Sequence, residues 1–118
     1  MAVFVDEQGV PAEMEVDEWD AQAVHALAYD GAQAVATGRL LADGRIGRMA
    51  VRVDCRGRGF GAAVLRALIE HARAQGLGAV FLHAQTHAMD FYRRYGFVET
   101  GAPFMEAGIA HRAMRRNL

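Results

Sequence analysis

The chain has 118 residues, 53% of them hydrophobic, with a net charge of −1 and one cysteine, Cys55. That length suits one domain, residues 1–118, with one core, and the apolar share excludes a disordered chain. Near-neutral charge leaves no global field to recruit nucleic acid, no apolar run approaches a membrane span, and a lone cysteine excludes an internal disulfide, which fits a reducing cytoplasm.

Residues 1–8 carry Val3, Phe4 and Val5, then Asp6, Glu7 and Gln8, and stop at Gly9. They read as the last turns of a helix with a glycine terminator. Residues 11–20 follow as an acidic loop holding Glu13, Glu15, Asp17, Glu18 and Asp20. Such a run is a solvated surface or a negative rim that attracts a cationic partner. Residues 23–29 form a short strand, Asp30-Gly31 a turn, and 33–41 the partner strand of a hairpin. A second turn, Asp43-Gly44, leads into a strand over 46–53, where Met49, Val51 and Val53 alternate with Arg48, Ala50 and Arg52.

A tight loop over 54–61 comes next, then a helix over 62–75. The helix carries Val64, Leu65, Leu68, Ile69 and Ala72 on one stripe and Arg66, Glu70 and Arg73 opposite. Between strand and helix stand Gly57, Gly59 and Gly61. Glycines there let a ligand approach the backbone, and free N–H groups at the helix start, helped by the helix dipole, suit a phosphate or pyrophosphate. Arg56 and Arg58 add positive charge. The alternative is a plain strand-to-helix turn. Gly76 caps the helix, residues 77–85 form another strand, and the strand–helix–strand order implies a parallel pair with a right-handed crossover. A short helix over 87–95 ends at Gly96. Two last strands, 97–100 and 109–115, are joined through Gly101-Ala-Pro103 and Glu106-Ala-Gly108. An antiparallel meander feeding a βαβα unit is an α+β fold.

Gly57-x-Gly59-x-x-Ala62 also fits a relaxed dinucleotide-binding fingerprint, which wants an acid about 20 residues on. The following strand instead ends His83-Ala-Gln85, and the chain before the loop is antiparallel. A P-loop is excluded, since no Gly-Lys-Ser/Thr follows.

Arg56-x-x-Gly59-x-Gly61 after a strand and opening a helix, and Phe91-Tyr92-x-x-x-Gly96-Phe97 after the next strand, resemble the two motifs of the GCN5-related N-acetyltransferases. Val3-Phe-Val-Asp-Glu-Gln8, the acidic 15–20 stretch followed by His25, Ala84-Gln85 and Gly108-Ile-Ala-His111 resemble the ElaA-like subgroup. The resemblance implies an acyl-CoA N-acyltransferase fold: a mostly antiparallel mixed sheet, a central parallel pair splayed to hold the cofactor, and helices on both faces. It also implies that the chain starts inside the end of the family's first helix, without the first strand, leaving an exposed sheet edge.

The function so implied is direct transfer of an acetyl group from acetyl-CoA to a primary amine of a small molecule or peptide, with no metal; the lone cysteine fits the cytoplasm, and a homodimer is the usual arrangement for a soluble oligomer. The resemblance assigns the pyrophosphate to Gly57 through Ala62, with Arg56 beside it: Gly57, Arg58, Gly59, Phe60, Gly61 and Ala62. The pantetheine runs along Met49, Ala50 and Val51, and Gln85 contacts the cofactor. Tyr92 matches the tyrosine that protonates the CoA sulfur, and a phenol is neutral at pH 7 and able to donate. An amide near Val51 serves the oxyanion. The region Ala79 to Leu82 has no acid to act as base, which leaves Glu7, His25, His83, His87 and His111, with Glu7 and His111 first, or an ordered water chain with no side-chain base. Cys55 precedes the loop beside the phosphates and is a poor nucleophile candidate. A non-catalytic CoA-binding or interaction module of the same fold is the alternative, separated by whether thiol is released.

Overall fold

The computed structural model describes the backbone of residues 2–5 and all of residues 10–16 and 22–118. Among the described residues, eight strands and two helices run in the order β1 (Ala2–Val5), β2 (Pro11–Val16), β3 (Ala23–Asp30), β4 (Gln33–Leu41), β5 (Ile46–Val51), α1 (Phe60–Ala74), β6 (Ala79–Gln85), α2 (Met89–Arg93), β7 (Val98–Glu106) and β8 (Ile109–Asn117). β1 to β5 form one antiparallel sheet in chain order. β6, β8 and β7 form a second, with β8 in the middle.

The two sheets meet at one parallel bridge, Arg45 to Phe81, where the Phe81 amide donates to the Gly44 carbonyl at 3.1 Å. Beyond it no backbone hydrogen bond joins β5 to β6 among the described residues. The expected α+β fold with a splayed central parallel pair is therefore present. β5 contains a bulge: Thr37 faces Ala50 and Arg39 faces Gly47, so Arg48 and Met49 together oppose Gly38. Arg48 takes the extra turn in a left-handed conformation, φ 53°.

α1 lies on the face of the first sheet that carries Ala26, Ala36, Gly38 and Leu40. Its apolar stripe, with Val64, Leu65 and Leu68 fully buried, closes the core with Ile46, Val80, Phe97 and Met114. The first four amides of α1 face a loop instead of a previous turn, while its far end is closed by amides of Gly76 and Leu77 on the carbonyls of Arg73 and Ala72.

Several expectations are corrected. Residues 2–5 are a strand, not a helix end: Ala2 faces Met14 and Val5 faces Pro11. Val3, Phe4 and Val5 are strong strand formers, and an available partner edge outweighs the terminator-like Gly9, which lies outside the described residues. Glu13 and Glu15 sit on β2, not in a loop, alternating with the α1-facing Ala12 and Met14; residues 17–20 are outside the described part. Helices were expected on both faces. α1 and α2 instead share one, because they touch: Arg66 of α1 lies 5.2 Å over the Tyr95 ring that follows α2, and a Cβ on Gly61 would come 3.8 Å from Phe91. β5 ends at Val51, and a single 3-10 turn, Val53–Cys55, starts the loop. α1 starts at Phe60, two residues early. β7 runs on through Pro103 to Glu106, with an irregularity between Thr100 and Phe104. Pro103 is tolerated because β7 is an edge strand, where a missing N–H removes no ladder bond.

Candidate active site

The gap where β5 and β6 part opens a cleft of about 970 Å³. Its floor and walls come from four places: β5, the loop and first turn of α1, the end of β6 with the turn after it, and α2. Of the sequence-derived site residues, Met49, Ala50, Val51, Arg56 to Ala62, Gln85, Tyr92 and His111 line it. Glu7 lies outside the described residues.

The loop is shaped by what it lacks. Gly59 ends it at φ 87°, ψ 2°, a left-handed conformation that swings the chain into the first turn of α1 with no side-chain cap. Among the described residues, none of the amides from Arg56 to Ala62 donates to another protein atom. The first helical bond back to the loop is Ala63 N–H to Gly59 O, at 3.0 Å. Arg56 to Arg58 are exposed and Gly59 and Gly61 half-buried. Consecutive unpartnered donors at the positive end of a fifteen-residue helix make an anion cradle. Gly61 packs closely under β5: a Cβ there would sit 3.2 Å from Val51 Cγ2.

Charge follows the same pattern. Arg48, Arg56, Arg58 and Arg94 line the cleft, and no carboxylate does among the described residues. The two loop arginines differ. Arg58 pairs with Asp30 at 3.2 Å and lies 5.1 Å over the Phe60 ring. Among the described residues Arg56 reaches only the Val51 carbonyl, at 3.4 Å. Glu13 and Glu15, read as part of a negative rim, do not line the cleft.

On β5, the Arg52 amide donates to the Val35 carbonyl at 2.7 Å. That bond makes Val51–Ala36 a non-hydrogen-bonded pair, so the N–H and C=O of Val51 point away from β4, toward the cleft. Across the gap, Tyr92 is buried and packed edge-on against Phe91 and Phe97, at 5.1 and 5.9 Å between ring centres. Burial pushes its phenol above the ordinary value of 10.0, so at neutral pH it holds its proton. No hydrogen bond occupies the phenol among the described residues, although Tyr92 lines the cleft.

The histidines separate. His111 is buried on β8, opposite Gln85, with Nδ1 2.7 Å from the Ile109 carbonyl and Nε2 3.5 Å from Glu106 Oε2. His83 and His87 also line the cleft; His87 Nε2 is 2.5 Å from Gln85 Oε1. His25 lies on β3 opposite Arg39, away from the cleft. Cys55 is buried beneath the loop, its thiol 3.7 Å from Asp54. Sequence reasoning missed Glu106 and Phe104, which sit against both His83 and His111. Their sequence trace is the i, i+2 spacing of Phe104 and Glu106, which lie between and within the two joins expected at Gly101-Ala-Pro103 and Glu106-Ala-Gly108.

Residues 1–118 match the family described as acetyltransferase (GNAT) domain. An uncharacterized N-acetyltransferase of Bacillus subtilis, YjcF, is 38% identical over 119 residues, 98% of this chain and 85% of the relative. Among solved structures, an acyl-CoA N-acyltransferase from Pseudomonas aeruginosa is 34% identical with a TM-score of 0.72, covering 80% of this chain and 68% of that one. Escherichia coli ElaA is 27% identical with a TM-score of 0.72, covering 84% and 74%. A splayed β5–β6 pair, a helix start with idle amides and a family match along the whole chain converge: this chain belongs to the GNAT family and is an N-acetyltransferase.

Proposed function

We propose that this acetyltransferase takes its acetyl group from acetyl-CoA and moves it directly to the primary amine of a small molecule or peptide. The observation that carries the reading is the run of unpartnered amides from Arg56 to Ala62, opening on a cleft without carboxylates among its described walls. That cradle fits a pyrophosphate, and Arg56, with no carboxylate partner among the described residues, adds a cation beside it. An extended, amide-bearing arm fits the unpaired edge of Met49, Ala50 and Val51, where strand groups have no partner from β6. Gln85 stands at the same gap.

In this reading Val51 N–H donates to the carbonyl oxygen as negative charge develops there. Tyr92 holds a proton in an apolar setting and delivers it to the departing sulfur. His111, whose Nδ1 is engaged by a carbonyl, offers Nε2 to take a proton from the incoming amine. Glu7 is the second candidate base. The ElaA-like assignment, the single domain over residues 1–118, a cytoplasmic location and a homodimer belong to the same reading.

Incubation with acetyl-CoA and a panel of primary amines, followed by thiol release, tests it. Amine-dependent thiol release is the expected result. Saturable CoA binding with no thiol release across the panel overturns it in favour of a non-catalytic CoA-binding module.

A further inference from the structure

We propose that Glu106 is the positioning residue for His111, an inference that rests on His111 acting as the base. Glu106 is the last residue of β7, directly across from Ile109. Its two oxygens divide between two histidines: Oε1 is 3.3 Å from His83 Nδ1 and Oε2 is 3.5 Å from His111 Nε2. Phe104, two residues earlier on the same face, stacks on His111 at 6.0 Å and meets His83 edge-on at 5.0 Å. Both histidines line the cleft.

The ring of His111 is held on both sides. Its Nδ1 donates to the Ile109 carbonyl at 2.7 Å, which leaves the neutral ring's lone pair on Nε2. Nε2 lies 3.5 Å from Glu106, longer than an ordinary hydrogen bond, and His111 lines the cleft. When Nε2 takes the proton, a new N–H bond forms on the ring and one N–H bond of the substrate ammonium breaks. The electron pair stays on the substrate nitrogen for attack. The imidazolium so formed carries its new proton on the nitrogen that faces the Glu106 carboxylate, which stabilises the charged ring.

His83 governs how firmly that carboxylate is held. Its Nδ1 is 3.3 Å from Glu106 and also 3.3 Å from Arg45 Nη2. A carboxylate only accepts and a guanidinium only donates, so one nitrogen bonds whichever its protonation allows. Across β6, Gln85 lies opposite His111 and is bonded to His87.

The test compares wild type, Glu106→Gln, Glu106→Asp and His111→Ala, using acetyl-CoA and the best amine of the panel, alongside long-range 1H–15N spectra of the imidazole rings. Glu106→Gln is expected to lower kcat about tenfold, to leave KM for acetyl-CoA within about twofold and to move the His111 Nε2 resonance, with partial recovery in Glu106→Asp. An unchanged kcat and an unmoved Nε2 resonance in Glu106→Gln, while His111→Ala loses activity, overturn the inference alone. Full activity in His111→Ala overturns the base assignment and the inference with it. No thiol release from wild type overturns the acetyl-CoA reading; an unmoved Nε2 resonance in Glu106→Gln then still overturns the positioning role.

Discussion

Met49 lies against Gly38: a Cβ built on that glycine would fall 2.5 Å from Met49 Sδ, 2.8 Å from Val64 Cγ1 and 3.0 Å from Leu68 Cδ1. Gly38 is thus the point where the β5 bulge and α1 close on β4, and the bulge is what points the edge of β5 into the cleft. Gly38→Ala is expected to overpack this junction and destabilise the fold by about 1–3 kcal/mol. Urea unfolding checks it, and a midpoint equal to wild type would show that α1 has room to shift.

Tyr92 gives a pair of linked expectations. Tyr92→Phe is expected to lower turnover at least tenfold while CoA affinity stays within about twofold, since the ring packing is retained and only the donor is lost. Equal losses in both would make the hydroxyl structural. Because burial raises this phenol's pKa, the folded state keeps its proton where the unfolded chain gives it up. Stability from this group is therefore intact below pH 10 and falls as pH climbs beyond it. Tyr92→Phe should flatten that alkaline loss in a pH series of unfolding curves; an identical slope in both proteins would refute it.

Gly59 holds a left-handed backbone at the mouth of α1. Gly59→Val adds about 1–3 kcal/mol of backbone strain and moves the amides of Phe60 and Gly61 out of register. CoA affinity by calorimetry is expected to fall at least tenfold, and an unchanged affinity would remove the cradle from the account of the cleft.

Arg56 and Arg58 look equivalent by position and are not so by contact. Arg58 already has Asp30 and the Phe60 face, whereas Arg56 has one backbone carbonyl. Arg56→Ala is expected to weaken CoA binding by about 1.5 kcal/mol, roughly tenfold, and to reduce its salt dependence. Arg58→Ala should cost clearly less. A larger loss from Arg58→Ala in the same titrations would reverse the assignment.

Local chemistry alone determined the strand from Gln33 to Leu41, the apolar stripe of α1 and the glycine loop, because alternation, the 3.6-residue period and turn residues act over a few neighbours. Motif spacing added the pairing of that loop with Tyr92. Long-range contact decided the rest. Residues 2–5 became a strand because β2 offered an edge, and Pro103 stayed within β7 because that edge faces no partner strand among the described residues. α1 and α2 ended on one face because the shared core of Leu65, Val80, Phe97 and Met114 lies there. The His83–Glu106–His111 cluster joins residues 5 to 28 positions apart through strand register, a relation that no local pattern encodes.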